Sequence, residues 1–292
     1  MAADNDAVAL GMAYVAFNTS GTQSPLFLAH TLQGYSWYFE HLAAHVDPDI
    51  PVYGLPPLPL GEPQPRTLSA LAARFVRVIK DLQPTGPYRL AGWSFGGLVA
   101  YEIAAQLTGQ GDDIEFLGLF DTTLPGWATA VDPHQAARLT LRSFALGNFT
   151  GFDENTIDFD GAADIETLIG ELVQAIEDRR ATGAPLWHLA YDQANDNRLF
   201  LERLVAHGVA MAAWQPKPIG TRAYVFAAED ASITPLEGHP ALPRFLGWDA
   251  VLDPADIEVL TVPGDHETII KVHADVLGRH ITDVLKRACL IE

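Results

Sequence analysis

The sequence has one cysteine, Cys289, in 292 residues. A single thiol excludes an internal disulfide and any cysteine-rich metal centre, and it fits a reducing compartment, so a cytoplasmic location is expected. Basic residues are also scarce, 18 Lys and Arg against 37 Asp and Glu, for a formal net charge of −19. Phosphate neutralisation needs the opposite balance, so nucleic acid is excluded as a partner. No apolar run reaches the length that spans a bilayer, and no membrane partner is expected. The opening residues, Met1-Ala-Ala-Asp-Asn-Asp, lack the basic and apolar regions of a signal peptide. There is no P-loop, no G-x-G-x-x-G stretch, no internal repeat and no low-complexity tract.

What is present is a globular composition, 48% hydrophobic and 19% charged, in a chain long enough for one large domain or one domain with an insertion. Its most informative stretch is Gly92-Trp-Ser-Phe-Gly-Gly97, which puts Ser94 in the pattern G-x-S-x-G. A strand-like run, Tyr88 to Ala91, precedes it and a helix-like run, Leu98 to Leu107, follows. That is the context of a nucleophile elbow. The turn is so tight that the flanking residues can carry almost no side chain, and the serine emerges at a helix N-terminus whose N–H groups can hold an oxyanion.

Around the elbow, strands and helices alternate. Tyr14–Phe17 and Pro25–His30 read as strands joined by a turn, Ser36–Val46 as a helix and Val52–Leu55 as a strand. A Pro-rich loop follows from Pro56 to Pro65. Leu68, Leu71, Ala72, Phe75, Ile79 and Leu82 share one face of a helix over Thr67–Leu82, and Ile114–Phe120 reads as a strand. The alternation predicts an α/β fold with a mostly parallel central sheet flanked by helices. From Pro125 to Trp214 no strand pattern is evident, and amphipathic helices are marked by Ala137–Ala145, Ile165–Ile176 and Leu199–Trp214. Strands resume at Arg222–Ala228 and Ile257–Val262, and a helix, Ala274–Ala288, follows. The expected organisation is therefore a core of 1–124 and 215–292 with a helical lid insertion at 125–214.

A serine hydroxyl needs a base, and the base an orienting acid, in the chain order Ser, acid, His for this architecture. Asp121 stands abruptly at the end of the strand Ile114–Phe120 and is favoured over Asp230, a rival in Glu229-Asp230 after the next strand. Of ten histidines, His266 follows the last strand and both acids. His30 precedes the serine, and His134, His188 and His207 fall in the insertion. For the oxyanion, two backbone N–H donors are expected: Phe95, which follows the nucleophile, and a residue of the loop Thr31-Leu-Gln-Gly34, with Leu32 favoured. No metal is required.

Together these residues resemble the terminal thioesterase domains of nonribosomal peptide synthetases and polyketide synthases, members of the α/β-hydrolase superfamily. The matching pieces are Leu26-Phe-Leu-Ala-His30 with Gly34, the elbow Gly92–Gly97, Ala100-Tyr-Glu-Ile-Ala104, Leu119-Phe-Asp121, Leu246-Gly-Trp248 and Val262-Pro-Gly-Asp-His266. Thr31 and Gln33 depart from a family loop that commonly carries proline and glycine there. The resemblance implies a triad of Ser94, Asp121 and His266 with oxyanion donors at Leu32 and Phe95. It also implies a substrate, a peptide, polyketide or hybrid chain, carried on the phosphopantetheine arm of an acyl or peptidyl carrier protein in the same megasynthase, with no cofactor of the enzyme's own. Release would be by hydrolysis or macrocyclisation through a Ser94 acyl-enzyme. Trp127, Trp187, Tyr191 and Trp214 are candidates to line the acyl chamber, and as readily pack the insertion. If the partner protein is acidic, docking must use a local basic patch such as Arg179-Arg180 or be mostly apolar. Other readings are a stand-alone editing thioesterase, a general serine esterase or lipase, and a silent carrier-docking module.

Overall fold

A computed structural model describes residues 12–124, 132–149, 153, 156–161, 164–182, 197–230 and 244–288. By contacts the chain forms two compact units, one of 1–57, 68–126 and 215–292, the other of 58–67 and 127–214.

The first unit is built on a seven-stranded sheet. Its strands are β1 (Val15–Phe17), β2 (Leu26–Ala29), β3 (Val52–Leu55), β4 (Tyr88–Trp93), β5 (Ile114–Phe120), β6 (Ala223–Ala228) and β7 (Ile257–Val262), in the spatial order β1-β3-β2-β4-β5-β6-β7. Only β1 runs antiparallel, pairing Val15 with Gly54 of β3; the other pairs are parallel. The first two strands are therefore not neighbours, because β3 lies between them. Parallel strands buried on both faces need continuous apolar runs rather than alternation, and β2 and β4 are buried at every position.

Helices cover both faces. On one, Tyr38, Phe39 and Leu42 of α1 (Tyr38–Ala43) and Leu277, Ile281, Val284 and Leu285 of α8 (Ala274–Ala288) form one core with Leu26, Leu28, Ala91, Phe116, Phe120 and Phe226 of the strands. On the other, α3 (Phe95–Thr108) packs on β2, β4 and β5, and α2 (Leu68–Leu82) packs on α3. Helix α3 has hardly any polar face, as expected for a helix held between a sheet and another helix. It starts three residues earlier than its apolar pattern suggests, because Phe95, Gly96 and Gly97 already form its first turn. This is the α/β-hydrolase fold.

The described residues of the second unit include three helices, α4 (Pro133–Asn148), α5 (Ile165–Thr182) and α6 (Asn197–Ala212). Asp132 caps α4 by accepting from His134 N–H (3.2 Å) and Gln135 N–H (3.3 Å), with Pro133 at the first helical position. Helices α4 and α6 pack closely at Gly208, where a Cβ would lie 2.0 Å from Thr140 Oγ1. Phe144 and Phe200 meet there with ring centroids 5.5 Å apart. Leu168, Ile169, Leu172 and Ile176 bury one stripe of α5. The stretch 58–67, part of the Pro-rich loop after β3, belongs to this unit. No helix among the described residues is long and apolar enough to cross a membrane.

Candidate active site

The sheet's C-terminal edge collects the candidate residues, as parallel α/β sheets do. Strand β4 ends at Trp93, and Ser94 follows with φ 56° and ψ −122°, a conformation that costs an L-residue on the order of 1–3 kcal/mol. Three hydrogen bonds hold it there. Ser94 N–H donates to Phe120 O (3.0 Å), while Ser94 O accepts from Gly97 N–H (3.0 Å) and from Thr122 Oγ1 (3.0 Å). Two glycines make the turn possible by close approach. A Cβ on Gly92 would sit 2.1 Å from the carbonyl carbon of Gly96, and one on Gly96 would sit 2.5 Å from Ala29 O. The second contact presses the start of α3 against the end of β2, where Ala29 pairs with Gly92.

That contact brings in the loop Thr31–Gly34, the candidate for the second oxyanion donor. After β2 the chain turns at Thr31, whose N–H donates to Tyr35 O (3.2 Å), whose carbonyl accepts from Gly34 N–H (2.9 Å) and whose hydroxyl accepts from Tyr35 N–H (3.0 Å). Thr31, a departure from the family loop, thus closes the turn through its own side chain. Leu32 lies half-buried within it. Phe95 opens α3, at the positive end of the helix dipole. His30 is buried, with Nδ1 2.8 Å from Thr31 O and its ring 5.9 Å from that of Phe95.

Asp121 follows β5 with φ 41° and continues the sheet by donating N–H to Phe226 O (2.8 Å). Its carboxylate, 5% exposed, accepts from Ala228 N–H at Oδ1 (3.0 Å) and meets His266 Nδ1 at Oδ2 (2.7 Å). Asp121 is therefore the acid that reaches His266. Asp230 is exposed, and its N–H donates to Gly264 O (2.9 Å). The imidazole of His266 remains 24% exposed. Its loop turns at Gly264 (φ 87°) and is clamped by Asp265, whose Oδ1 accepts from Glu267 N–H (3.0 Å), Thr268 N–H (2.8 Å) and Thr268 Oγ1 (2.8 Å). Those bonds open a short helix, α7 (Thr268–Lys271), that no sequence pattern announces.

The Thr268 N–H and then its hydroxyl hold the Asp265 carboxyl below its ordinary value. A depressed carboxylate adds stability that is complete above its unfolded pKa and is lost as pH falls through the folded value. Asp265→Asn should therefore lower the melting temperature at neutral pH, and the gap to wild type should close as pH falls below about 4. Melting curves from pH 7 to pH 2.5 test this; a constant gap would locate the loss outside the carboxylate's charge.

Three side chains support the site through bonds that no motif spells out, although Trp93 and Trp248 stand inside matched motif pieces. Trp93 Nε1–H donates to His266 O (3.0 Å), Thr122 Oγ1–H to Ser94 O, and Trp248 Nε1–H to Thr122 O (2.7 Å). Of the chamber candidates, Trp214 is buried in the helical unit, and Trp127, Trp187 and Tyr191 lie outside the described residues. Arg179 and Arg180 end α5, where the Arg179 guanidinium lies 5.0 Å from the Phe149 ring centroid. Among the described residues no cluster of three His, Cys, Asp or Glu side chains is placed to hold a metal ion.

The sequence profile of the Thioesterase domain family matches residues 24–285. Enterobactin synthase component F of Escherichia coli O157:H7 is 35% identical over 209 residues, 67% of this chain and 15% of that protein. A dimodular nonribosomal peptide synthase of Bacillus subtilis (strain 168) is 31% identical over 164 residues, 55% of this chain and 7% of that protein. The chain thus spans a small fraction of these curated relatives. Among solved structures, the NocB thioesterase domain from the nocardicin cluster superposes with a TM-score of 0.60 at 25% identity, covering 95% of this chain and 98% of that one. With the family profile spanning nearly all of the sheet unit and its site, the chain belongs to the thioesterase domain family.

Proposed function

We propose that this chain is a serine thioesterase that releases a peptide, polyketide or hybrid acyl chain from the phosphopantetheine thioester of a carrier protein. The observation that carries the reading is the 2.7 Å contact of Asp121 Oδ2 with His266 Nδ1, on the same sheet edge as a serine in strained elbow geometry. The synthetase relatives support a carrier-bound substrate.

In this mechanism Asp121 holds the neutral imidazole with its proton on Nδ1, leaving Nε2 to take the proton of the Ser94 hydroxyl. Ser94 Oγ attacks the thioester carbonyl, and the oxyanion is held by the N–H groups of Phe95 and Leu32. Collapse breaks the C–S bond. The pantetheine thiolate leaves with the proton from His266, and the acyl group remains on Ser94 as an ester. Water, or an amine or hydroxyl of the acyl chain itself, then gives its proton to His266 and attacks the ester; collapse breaks the bond to Ser94 Oγ, which takes that proton back from His266 as an acid or a macrocycle is freed. The phosphopantetheine arrives with the substrate, so the chain's own residues carry every proton transfer.

Incubation with a serine-directed fluorophosphonate, followed by intact mass and peptide mapping, tests this. One adduct on Ser94, lost in His266→Ala, is expected. Labelling elsewhere, or no adduct in folded protein, would overturn the assignment.

A further inference from the structure

We infer that Trp93 is a positioning residue for His266, and that its indole N–H sets the reach between imidazole and nucleophile; this rests on reading Ser94 and His266 as nucleophile and base. The two residues are 173 apart in sequence, yet the indole Nε1–H donates to the His266 carbonyl at 3.0 Å. Its ring also lies 5.3 Å from the imidazole, tilted by 38°. The bond to Asp121 grips the far side of the imidazole. The Asp265–Thr268 bonds shape the loop internally, and the Asp230–Gly264 bond ties it to the end of β6. Trp93 adds a tie from the base's own peptide to the residue that directly precedes the nucleophile.

The indole is suited to this because it is itself fixed. It is 4% exposed. Trp37 and Tyr38 stand edge-on to it with centroids 6.0 and 5.9 Å away, and the Tyr38 hydroxyl is bonded to Ala29 O. Its backbone pairs in register with Phe120, the residue before Asp121. One rung of the sheet, Trp93 with Phe120, therefore serves as the common reference for nucleophile, acid and base. The elbow pattern G-x-S-x-G leaves this position unspecified, so the sequence places Trp93 in the elbow without giving it a role.

The test replaces Trp93 with phenylalanine and, by site-specific incorporation, with benzothienylalanine, which keeps the bicycle and removes only the N–H. Turnover of an acyl N-acetylcysteamine thioester is measured in each, with melting temperature as the control for folding. A positioning role predicts that kcat falls roughly 10- to 100-fold while KM stays within about two-fold. In a His266→Ala background the same replacement should cost nothing further, since the route through which it acts is gone. If Trp93→Phe does not fold, the benzothienyl variant decides. Wild-type kcat in that variant would overturn the inference, as would an undiminished loss in the His266→Ala background. Should His266→Ala itself retain wild-type labelling and turnover, the assignment of the base falls with it, an outcome distinguishable from failure of Trp93 alone.

Discussion

Ser94→Ala should lower thioester turnover by about 10⁵-fold or more and abolish the fluorophosphonate adduct, while the protein still folds. The expected loss is large because the proposed mechanism makes the hydroxyl oxygen the bond-forming atom. The fold survives because Ser94 is held through its backbone, by Phe120 O, Gly97 N–H and the Thr122 hydroxyl, all of which alanine keeps. Ser94→Gly should be equally inactive and more stable than wild type. Its positive φ costs an L-residue on the order of 1–3 kcal/mol, and glycine relieves most of it. Stability then moves opposite to activity at this position, which calorimetry and the turnover assay would read from the same samples. A Ser94→Gly variant no more stable than Ser94→Ala would mean that the elbow conformation carries no strain.

Asp121→Asn should reduce kcat about 10⁴-fold with little change in KM. An asparagine fits the same space, and its carbonyl oxygen can still accept from Ala228 N–H, as Asp121 Oδ1 does at 3.0 Å. The other half of the amide would present N–H where Oδ2 now meets His266 Nδ1 at 2.7 Å. The imidazole must then turn its lone pair toward position 121 and its proton toward Ser94, which is the wrong tautomer for a base. Asp230→Asn, at the exposed rival carboxylate, should leave turnover within about two-fold of wild type. The contrast is the test: comparable losses at both positions would mean that charge near the sheet edge, rather than a bond to the imidazole, supports the reaction.

The parts of this fold that were legible in the sequence are those fixed by local sterics. Strands Val52–Leu55, Ile114–Phe120 and Ile257–Val262 end where the run of apolar side chains stops, and their observed limits are those read from the pattern. The elbow was legible because a Cβ at Gly92 or Gly96 has nowhere to go, so the spacing of glycines records the close approach of three backbones. The early start of α3 was not, because glycine in a first turn looks like a breaker until the strand beside it is known. Nor was the pairing of β1 with β3 across the chain order. Least legible were the bonding roles of Trp93, Thr122 and Trp248, although the first and last stand inside matched motif pieces. Their bonds to distant carbonyls have no local periodicity, and each residue alone is an ordinary core side chain.

The neighbouring strands β5 and β6 pair in register from Gly118 with Tyr224 to Phe120 with Phe226, although the stretch 127–214 of the second unit separates them in sequence. Both ends of that excursion are fastened within the sheet unit, the outgoing chain by Leu124 N–H on Leu246 O at 2.9 Å and the returning chain by the Tyr101 hydroxyl on Lys217 O at 2.8 Å. Closing a longer excursion between fixed ends is cheap, about 0.6 kcal/mol for each doubling of length. The sheet is accordingly tolerant of what is spliced between these two posts. The sheet unit that carries Ser94, Asp121 and His266 is in that sense a chassis, whose geometry does not depend on the length of the chain between its two posts.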